Sequence, residues 1–164
     1  MKQDMCVPCD GGIINLRVGA IIAREGKLLM VGNEGTDYLY SVGGRIKFGE
    51  TAEEAVVREV EEETGTRLEI DRLGFVHENY FVGDSPYNRG KLIYEIALYF
   101  YMKVPKDFSP NEKNDSVTEG GSPEFLRWVD PLTCPSRFYP DFFKTDIFSP
   151  GDGVKWIKTA PETK

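Results

Sequence analysis

Apolar positions in the first quarter of the chain form short β-branched runs that polar turns separate. Residues 16–23 are one such run, and a polar turn divides them from the apolar residues 28–31. Two apolar runs joined by a short glycine-bearing turn are typical of a hairpin of buried strands. An aromatic segment, residues 38–42, predicts a further strand that leads into Gly43-Gly44, where the backbone can turn sharply or approach a ligand closely.

The next segment carries the end signals of a helix. Thr51 and Glu54 have the spacing of a capping box, in which the threonine hydroxyl accepts from a first-turn amide and the glutamate side chain reaches back. Strong helix formers follow, and Gly65 supplies a C-terminal stop. We therefore predict a helix of about four turns over residues 52–64.

The rest of the chain alternates between long apolar segments and polar ones. The segment 105–123 is rich in Ser, Asn, Asp, Glu, Gly and Pro, which predicts a long exposed loop. Around it the pattern predicts two long strands, a short strand, a short amphipathic helix and a last extended segment. In chain order, these elements are residues 68–82, 91–104, 125–130, 140–148 and 154–157.

Composition favours a single soluble domain. At 164 residues the chain has the length of one domain, and no apolar run reaches the ~18 residues that suggest a membrane span. The first residues do not resemble an export signal and three cysteines are too few for a disulfide framework, so we expect a cytoplasmic protein. A net charge of −7 argues against broad binding to a nucleic-acid backbone, and an acidic protein that handles phosphates needs a bridging cation.

Cysteine and histidine give a weaker signal. Cys6 and Cys9 have a spacing that suits zinc or a redox pair, but only Cys134 and His77 remain as further ligands, and a closed zinc site normally has four. The alternative is that Cys6 and Cys9 lie in a mobile N-terminal tail. No second histidine accompanies His77, so we expect a structural role for it.

Three carboxylates of the predicted helix are the strongest candidates for chemistry. Glu59, Glu62 and Glu63 lie three and four residues apart, and at ~100° per residue they share one face. Like charges at this spacing repel one another unless a cation lies between them. Their oxygen atoms suit Mg²⁺ or Mn²⁺. The alternative is a solvated acidic face, which charge patterning alone would favour.

The spacing of residues 44–65 decides between these alternatives. It resembles the Nudix signature at every fixed polar and glycine position, namely Gly44, Glu50, Arg58, Glu59, Glu62, Glu63 and Gly65. The family usually has an aliphatic residue in place of Thr66, from which we expect a small packing change. The resemblance implies an α/β fold, a Nudix-type α/β/α sandwich with a mixed central sheet. It would cover residues 15–158, between an N-terminal tail of residues 1–14 and a C-terminal tail of residues 159–164.

The resemblance also implies a metal site. Glu59 and Glu63 would be the main ligands of Mg²⁺ or Mn²⁺, and Glu62 would be a third ligand or a water-activating group. Gly44 would offer its backbone carbonyl. A general base is expected as well, either from the same motif or from a later loop.

Candidates for that base on the later loop are Glu112, Glu119 and Glu124. We take Glu119, together with Glu59 and Glu62, as the predicted catalytic set.

Other residues would support the site or hold the substrate. Glu50 and Arg58 would form an ion pair between the loop and the helix, because arginine grips a carboxylate with two parallel hydrogen bonds. Arg45, Arg89 and Lys91 are the basic residues nearest the predicted site in sequence. We expect at least one of them to contact a substrate phosphate.

Two further residues are candidates for substrate binding. Glu95 interrupts an otherwise apolar strand, so either it is buried and needs a partner or a metal, or it points at water from a strand edge. Tyr80 could stack a base, and filling the core is an equally good interpretation. The same two interpretations apply to Tyr38, Tyr40, Phe81 and Tyr87.

The implied function is metal-assisted hydrolysis of a nucleoside-diphosphate-linked or nucleoside triphosphate substrate by attack of water on phosphorus. The expected partner is a small nucleotide or diphosphate, without a membrane or nucleic acid, and a homodimer is left open. One alternative is an isopentenyl-diphosphate-type isomerase on the same fold, although the segment Tyr40-Ser41-Val42 lacks the cysteine of that chemistry. The other is a nucleotide sensor that binds its ligand without hydrolysing it. The presence of all three motif carboxylates, Glu59, Glu62 and Glu63, favours hydrolysis over this alternative.

Overall fold

The protein has a ten-stranded sheet with a helical segment on each face. The computed structural model describes residues 3–84, 88–111, 121–149 and 151–160. The α-helix α1 is Ala52–Thr64, and a 3-10 helix spans Asp141–Lys144. The strands are β1 Cys6–Cys9, β2 Gly12–Ile21, β3 Ala23–Arg24, β4 Lys27–Asn33, β5 Tyr38–Arg45, β6 Glu69–Val82, β7 Leu92–Lys103, β8 Glu124–Val129, β9 Arg137–Tyr139 and β10 Lys155–Thr159. The predicted α/β fold is confirmed.

The sheet is mixed, as predicted. Its strand order is β10-β6-β7-β2-β5-β4-β3, with β1 beside β2, β8 beside β4 and β9 beside β5. β2 runs parallel to β7, whereas β6 and β7 are antiparallel. The hairpin predicted from residues 16–23 and 28–31 is confirmed at its tip, where Ala23 pairs with Leu28. β2 itself pairs with β5 and β7, because an apolar strand that is buried on both faces fits the middle of a sheet.

Each face of the sheet has its own core. One face packs against α1 through residues such as Val56, and the other packs against the 3-10 helix through residues such as Phe142. Successive side chains of a strand point to opposite faces, so Ala20 of β2 lies in the first core and Ile21 in the second. The second outer layer of the sandwich is therefore a short 3-10 helix, in the segment where a short amphipathic helix was predicted.

α1 begins and ends at the predicted residues. The Thr51 hydroxyl accepts from the Glu54 amide at 3.1 Å, and the Glu54 carboxylate accepts from the Thr51 amide at 2.8 Å. Gly65 has a left-handed φ of 73° and donates to the Glu61 carbonyl at 2.9 Å. Both ends of the helix are thus fixed by local bonds.

Neither helix within the described ranges has the length and apolar character needed to cross a membrane.

The first described residues belong to the sheet. β1 pairs with β2 in antiparallel register, with Cys6 opposite Asn15 and Cys9 opposite Gly12. The interpretation of these cysteines as part of a mobile tail is therefore wrong. Residues three positions apart on a strand point to opposite faces with Cα atoms about 10 Å apart, too far for the disulfide of a redox pair. Both thiols are free. The domain limits at residues 15 and 158 stay a prediction.

Candidate active site

Two glycines near the end of β5 lie in close contact with neighbouring elements, Gly43 with β2 and Gly44 with α1. Gly43 has a φ of 145°, and a Cβ there would lie 2.3 Å from the Val18 carbonyl oxygen. A Cβ on Gly44 would lie 2.5 Å from the carboxylate of Glu59. The amide of Gly43 donates to Oε1 of Glu63 at 3.0 Å. Because Gly44 has no side chain, the carboxylate of Glu59 reaches the backbone of the strand, and the carboxylate of Glu63 reaches it through the Gly43 amide.

The carboxylate of Glu63 is buried and incompletely paired. Its Oε2 atom has no hydrogen-bond partner among the described residues. Burial raises the pKa of Glu63 to about 8, and the carboxylates of Glu59 and Glu124 add to the rise, while the Gly43 amide and the charge of Arg17 oppose it. A buried acid with an unused oxygen is costly unless a proton or a cation neutralises it.

Arg58 connects the loop after β5 to the helix carboxylates. Its Nε and Nη2 atoms donate to the two oxygens of Glu50 at 3.1 and 2.7 Å, and its Nη1 donates to Glu59 at 2.6 Å. Nη2 also donates to the Arg45 carbonyl at 3.2 Å. The hydrogen bonds from Arg58 lower the pKa of Glu50, whereas burial raises the pKa of Glu59 despite the same arginine. The ion pair expected between Glu50 and Arg58 is present.

Glu62 lies on the outer side of the same helix. Its side chain is 54% exposed and accepts from Arg58 Nη1 at 3.2 Å, whereas the Glu59 side chain is 14% exposed. α1 thus turns Glu59 and Glu63 toward β5 and Glu62 toward solvent, a division that the shared helix face did not predict. Within the described ranges, no three His, Cys, Asp or Glu side chains are gathered so as to hold a metal ion by themselves.

The oxygen atoms of Glu59 and Glu63 still fit a hard divalent cation. Mg²⁺ is usually held by one or two carboxylates, and water and substrate phosphates complete its coordination. Oε2 of Glu63 is a buried oxygen without a partner among the described residues, and the carboxylate of Glu59 fills the space that a side chain at position 44 would take. A cation at this point would offset the cost of burying Glu63.

A further carboxylate approaches from β8. Glu124 accepts a hydrogen bond from the Tyr40 hydroxyl, which Asn33 Nδ2 approaches at 3.4 Å. Burial raises the pKa of Tyr40, so its hydroxyl keeps its proton at neutral pH and acts as a donor to Glu124. The negative charge of Glu124 contributes to the raised pKa of Glu63, so the two carboxylates interact electrostatically.

Arg17 of β2 is a charged residue of this region that sequence analysis missed. In the antiparallel register of β2 and β5, the backbone of Arg17 lies opposite that of Arg45. Burial lowers the pKa of Arg17, but the negative charges of Glu95, Glu59 and Glu63 outweigh this effect and raise it. The signal that could have identified Arg17 is a lone charge in an apolar strand, the same signal that singled out Glu95.

Two polar side chains of the central strands are buried with partners. Glu95 is 9% exposed and accepts from Asn15 Nδ2 at 2.7 Å. Since β7 lies between β6 and β2, the strand-edge alternative for Glu95 is wrong, and burial with a partner is confirmed. His77 is 6% exposed and lies 2.9 Å from the Thr159 hydroxyl, which agrees with a structural role.

The other basic residues predicted to bind phosphate lie in different places. Arg45, at the end of β5, forms an ion pair with Asp4 at 3.6 Å. Arg89 and Lys91 are exposed in the connection between β6 and β7. Lys91 precedes Glu95 by four residues, which is about 13 Å along an extended strand. Arg45 is therefore the one of the three that adjoins Arg17 and the loop before α1.

Tyr80 is 37% exposed on β6, and its ring packs on Tyr94 with centroids 4.5 Å apart. This contact joins two strands and leaves the prediction of base stacking untested. Glu112, Glu119 and Tyr87 lie outside the described residues. The catalytic role predicted for Glu119 therefore stays a prediction.

Comparison with known sequences agrees with the resemblance seen in the motif. The NUDIX domain family profile matches residues 14–141. A MutT-like protein of Streptomyces ambofaciens is 38% identical over 61 residues, which are 37% of this chain and 40% of that protein. The match thus spans well under half the length of this relative.

Three solved structures have the same fold at low sequence identity. A mutator MutT protein from Bacillus halodurans superposes with a TM-score of 0.61 at 13% identity, over 92% of this chain and 93% of that one. An ADP-ribose pyrophosphatase from Streptococcus suis has a TM-score of 0.54 at 17% identity, over 87% and 98%. A MutT NUDIX hydrolase from Burkholderia pseudomallei has a TM-score of 0.54 at 21% identity, over 80% and 95%. With a family match over most of its length and this fold, the chain belongs to the NUDIX domain family.

Proposed function

We propose that this chain is a cytoplasmic, metal-dependent hydrolase that cleaves a nucleoside-diphosphate-linked or nucleoside triphosphate substrate by attack of water on phosphorus. The observation that carries the proposal is the carboxylate pair Glu59 and Glu63, held against Gly43-Gly44 with one Glu63 oxygen buried and without a partner among the described residues. A polyanionic diphosphate can approach this pair only when positive charge lies between them. An ADP-ribose pyrophosphatase of the same fold is in keeping with a diphosphate substrate.

Glu59, Glu63 and the backbone carbonyl of Gly44 would hold the cation, Mg²⁺ or Mn²⁺. Glu62 lies on the solvent side of the same helix turn and would add a third carboxylate near the cation. When bound, a divalent cation neutralises phosphate oxygens and lowers the pKa of a water molecule. Arg58 donates to both Glu59 and Glu50, so the role of Glu50 and Arg58 would be to support the ligands.

Arg17 is the residue that we propose for phosphate contact, in preference to the more distant Arg89 and Lys91. The negative charges of Glu59 and Glu63 contribute, after that of Glu95, to the raised pKa of Arg17, so its guanidinium is within electrostatic reach of both carboxylates. Arginine can donate two parallel hydrogen bonds to a phosphate. Glu95 attracts the same guanidinium from the neighbouring strand, so its role would be to orient Arg17 toward the substrate.

Glu124 is the residue that we propose as general base for the attacking water. The Tyr40 hydroxyl donates to Glu124 and orients it. Two earlier candidates, Glu59 and Glu62, both accept hydrogen bonds from Arg58, and Glu59 would in addition hold the cation. Transfer of the water proton to Glu124 would leave hydroxide to attack phosphorus, and a phosphate-bearing group would depart.

The test is a panel of nucleotide sugars, nucleoside triphosphates and dinucleoside polyphosphates, assayed with Mg²⁺ by phosphate release after phosphatase coupling. We expect turnover of at least one class, with none in the absence of a divalent cation. Binding of a nucleotide without turnover of any panel member in Mg²⁺ or Mn²⁺ would contradict the proposal and favour a sensor.

A further inference from the structure

The segment before β1 is fastened by backbone hydrogen bonds to the loop between β5 and α1. The amide of Met5 donates to the Ile46 carbonyl at 2.8 Å, and the amide of Phe48 donates to the Gln3 carbonyl at 2.7 Å. On its other side, the Met5 carbonyl accepts from the Leu16 amide of β2 at 3.0 Å. Residues 3–5, which we name the N-terminal strap, therefore lie between the sheet and this loop.

Side chains strengthen the same contact. The two backbone bonds to the loop place Asp4 opposite Lys47 in an antiparallel bridge, and the Asp4 side chain adds an ion pair with Arg45 at 3.6 Å. Met5 packs, partly buried, against the core under α1. An ion pair as exposed as that of Asp4 contributes little. The backbone bonds and the packing of Met5 are thus the main attachments of the strap.

The loop that the strap holds is the loop that orients Glu59. The amide of Lys47 donates to Oε1 of Glu50 at 2.7 Å, and Glu50 accepts two hydrogen bonds from Arg58. Arg58 in turn donates to Glu59 at 2.6 Å. A continuous series of bonds therefore leads from the strap, through the loop and Arg58, to a carboxylate that we propose as a metal ligand.

We propose that the N-terminal strap is a positioning element of the metal site. By fixing residues 46–48, it keeps Glu50 and Arg58 where they hold Glu59 against Gly44. The inference rests on the proposed function for the role of Glu59, but it concerns residues outside the motif. Groups that orient metal ligands typically change metal affinity by about 10–100-fold when they are lost.

A shortened chain tests the inference. The variant lacks residues 2–5, so that Met1 joins Cys6, and the control lacks only Lys2 and keeps the strap. Mn²⁺ affinity is measured by titration calorimetry without substrate, alongside thermal unfolding. We expect the variant to bind Mn²⁺ about tenfold more weakly than wild type and the control to match wild type. An affinity within twofold of wild type in a folded variant would overturn the inference.

Hydrogen exchange in the intact protein gives a second test that does not depend on the variant folding. The amides of Met5 and Phe48 should be protected, and Mn²⁺ should slow their exchange further, because the cation and the strap stabilise the same arrangement of the loop. Exchange of both amides at the rate of unstructured chain, or without response to bound Mn²⁺, would also overturn it. Mn²⁺ binding that depends on the strap, without hydrolysis of any nucleotide, would instead count against the proposed function alone.

Discussion

At the scale of single residues, Glu63 combines burial, negative neighbours and an incomplete set of hydrogen bonds. Burial raises its pKa to about 8, and Glu59 and Glu124 act in the same direction. Glu62, the preceding residue on the helix, has a side chain that is 54% exposed. Burial thus separates the glutamates that the helix turns toward Gly43 and Gly44 from Glu62, although all three belong to the same motif.

Replacing Glu63 by glutamine should stabilise the metal-free protein, and the gain should grow as the pH rises. The folded-state pKa of about 8 lies above the ordinary value of 4.5, so the folded chain binds this proton more tightly than the unfolded chain does. Stability is then lost as the pH rises from about 4.5 to about 8. Thermal unfolding in EDTA across this window measures the difference between Glu63→Gln and wild type. With Glu53→Gln as the exposed control, a constant difference would contradict the account.

Glu124→Gln should lower kcat by on the order of a hundredfold or more, because an amide cannot accept the proton of the attacking water. The Tyr40 hydroxyl can still donate to the amide oxygen, so we expect KM and the melting temperature to change little. Steady-state kinetics on an accepted substrate measure both constants. A kcat within threefold of wild type would exclude Glu124 as the general base.

At the scale of elements, the ends of α1 are set by local bonds that a sequence shows directly. The capping box of Thr51 and Glu54 and the left-handed Gly65 all lie where the sequence predicted them. Strand pairing involves residues far apart in the chain, and here the predictions were less complete. β1 was assigned to a tail, and β2 was paired in a hairpin, because neither its partner β7 nor the attachment of β1 follows from the neighbouring residues.

Loss of the helix cap should reduce stability without changing the site. In Thr51→Ala the Glu54 amide loses its acceptor, which typically costs about 1 kcal/mol. For a chain of this size that corresponds to roughly 2–4 °C in melting temperature. Thr133→Ala, at an exposed position, is the matched control. Equal melting temperatures for the two variants would show that the cap contributes nothing.

Gly44→Ala should have the opposite signature, with metal binding impaired and the fold retained. The new Cβ would lie 2.5 Å from the Glu59 carboxylate, which is the end of a flexible side chain and can move away. We expect a small change in melting temperature and Mn²⁺ affinity lower by about tenfold or more. Gly153→Ala, where a Cβ meets nothing within 4 Å, is the control. Unchanged Mn²⁺ affinity in Gly44→Ala would place the cation elsewhere.

At the scale of the whole molecule, the proposed site draws on elements that the sheet brings together from distant parts of the chain. α1 supplies Glu59 and Glu63, β8 supplies Glu124, and β2 supplies Arg17. The motif predicted the first two because its spacing is local. It could not predict that Glu124 begins a strand beside β4 and accepts from the Tyr40 hydroxyl, or that the charges of the helix carboxylates act on Arg17, because both depend on the order of strands in the sheet.

The central claim is that Glu59 and Glu63 bind a divalent cation that hydrolysis requires. Its most direct test is turnover of an accepted nucleotide substrate as a function of Mg²⁺ concentration, in wild type and in Glu63→Gln. We expect wild-type turnover to fall to background in excess EDTA and to return with Mg²⁺, and the variant to be slower by on the order of a hundredfold at every Mg²⁺ concentration. Full turnover of wild type in excess EDTA, or wild-type turnover by Glu63→Gln with the same Mg²⁺ dependence, would contradict it.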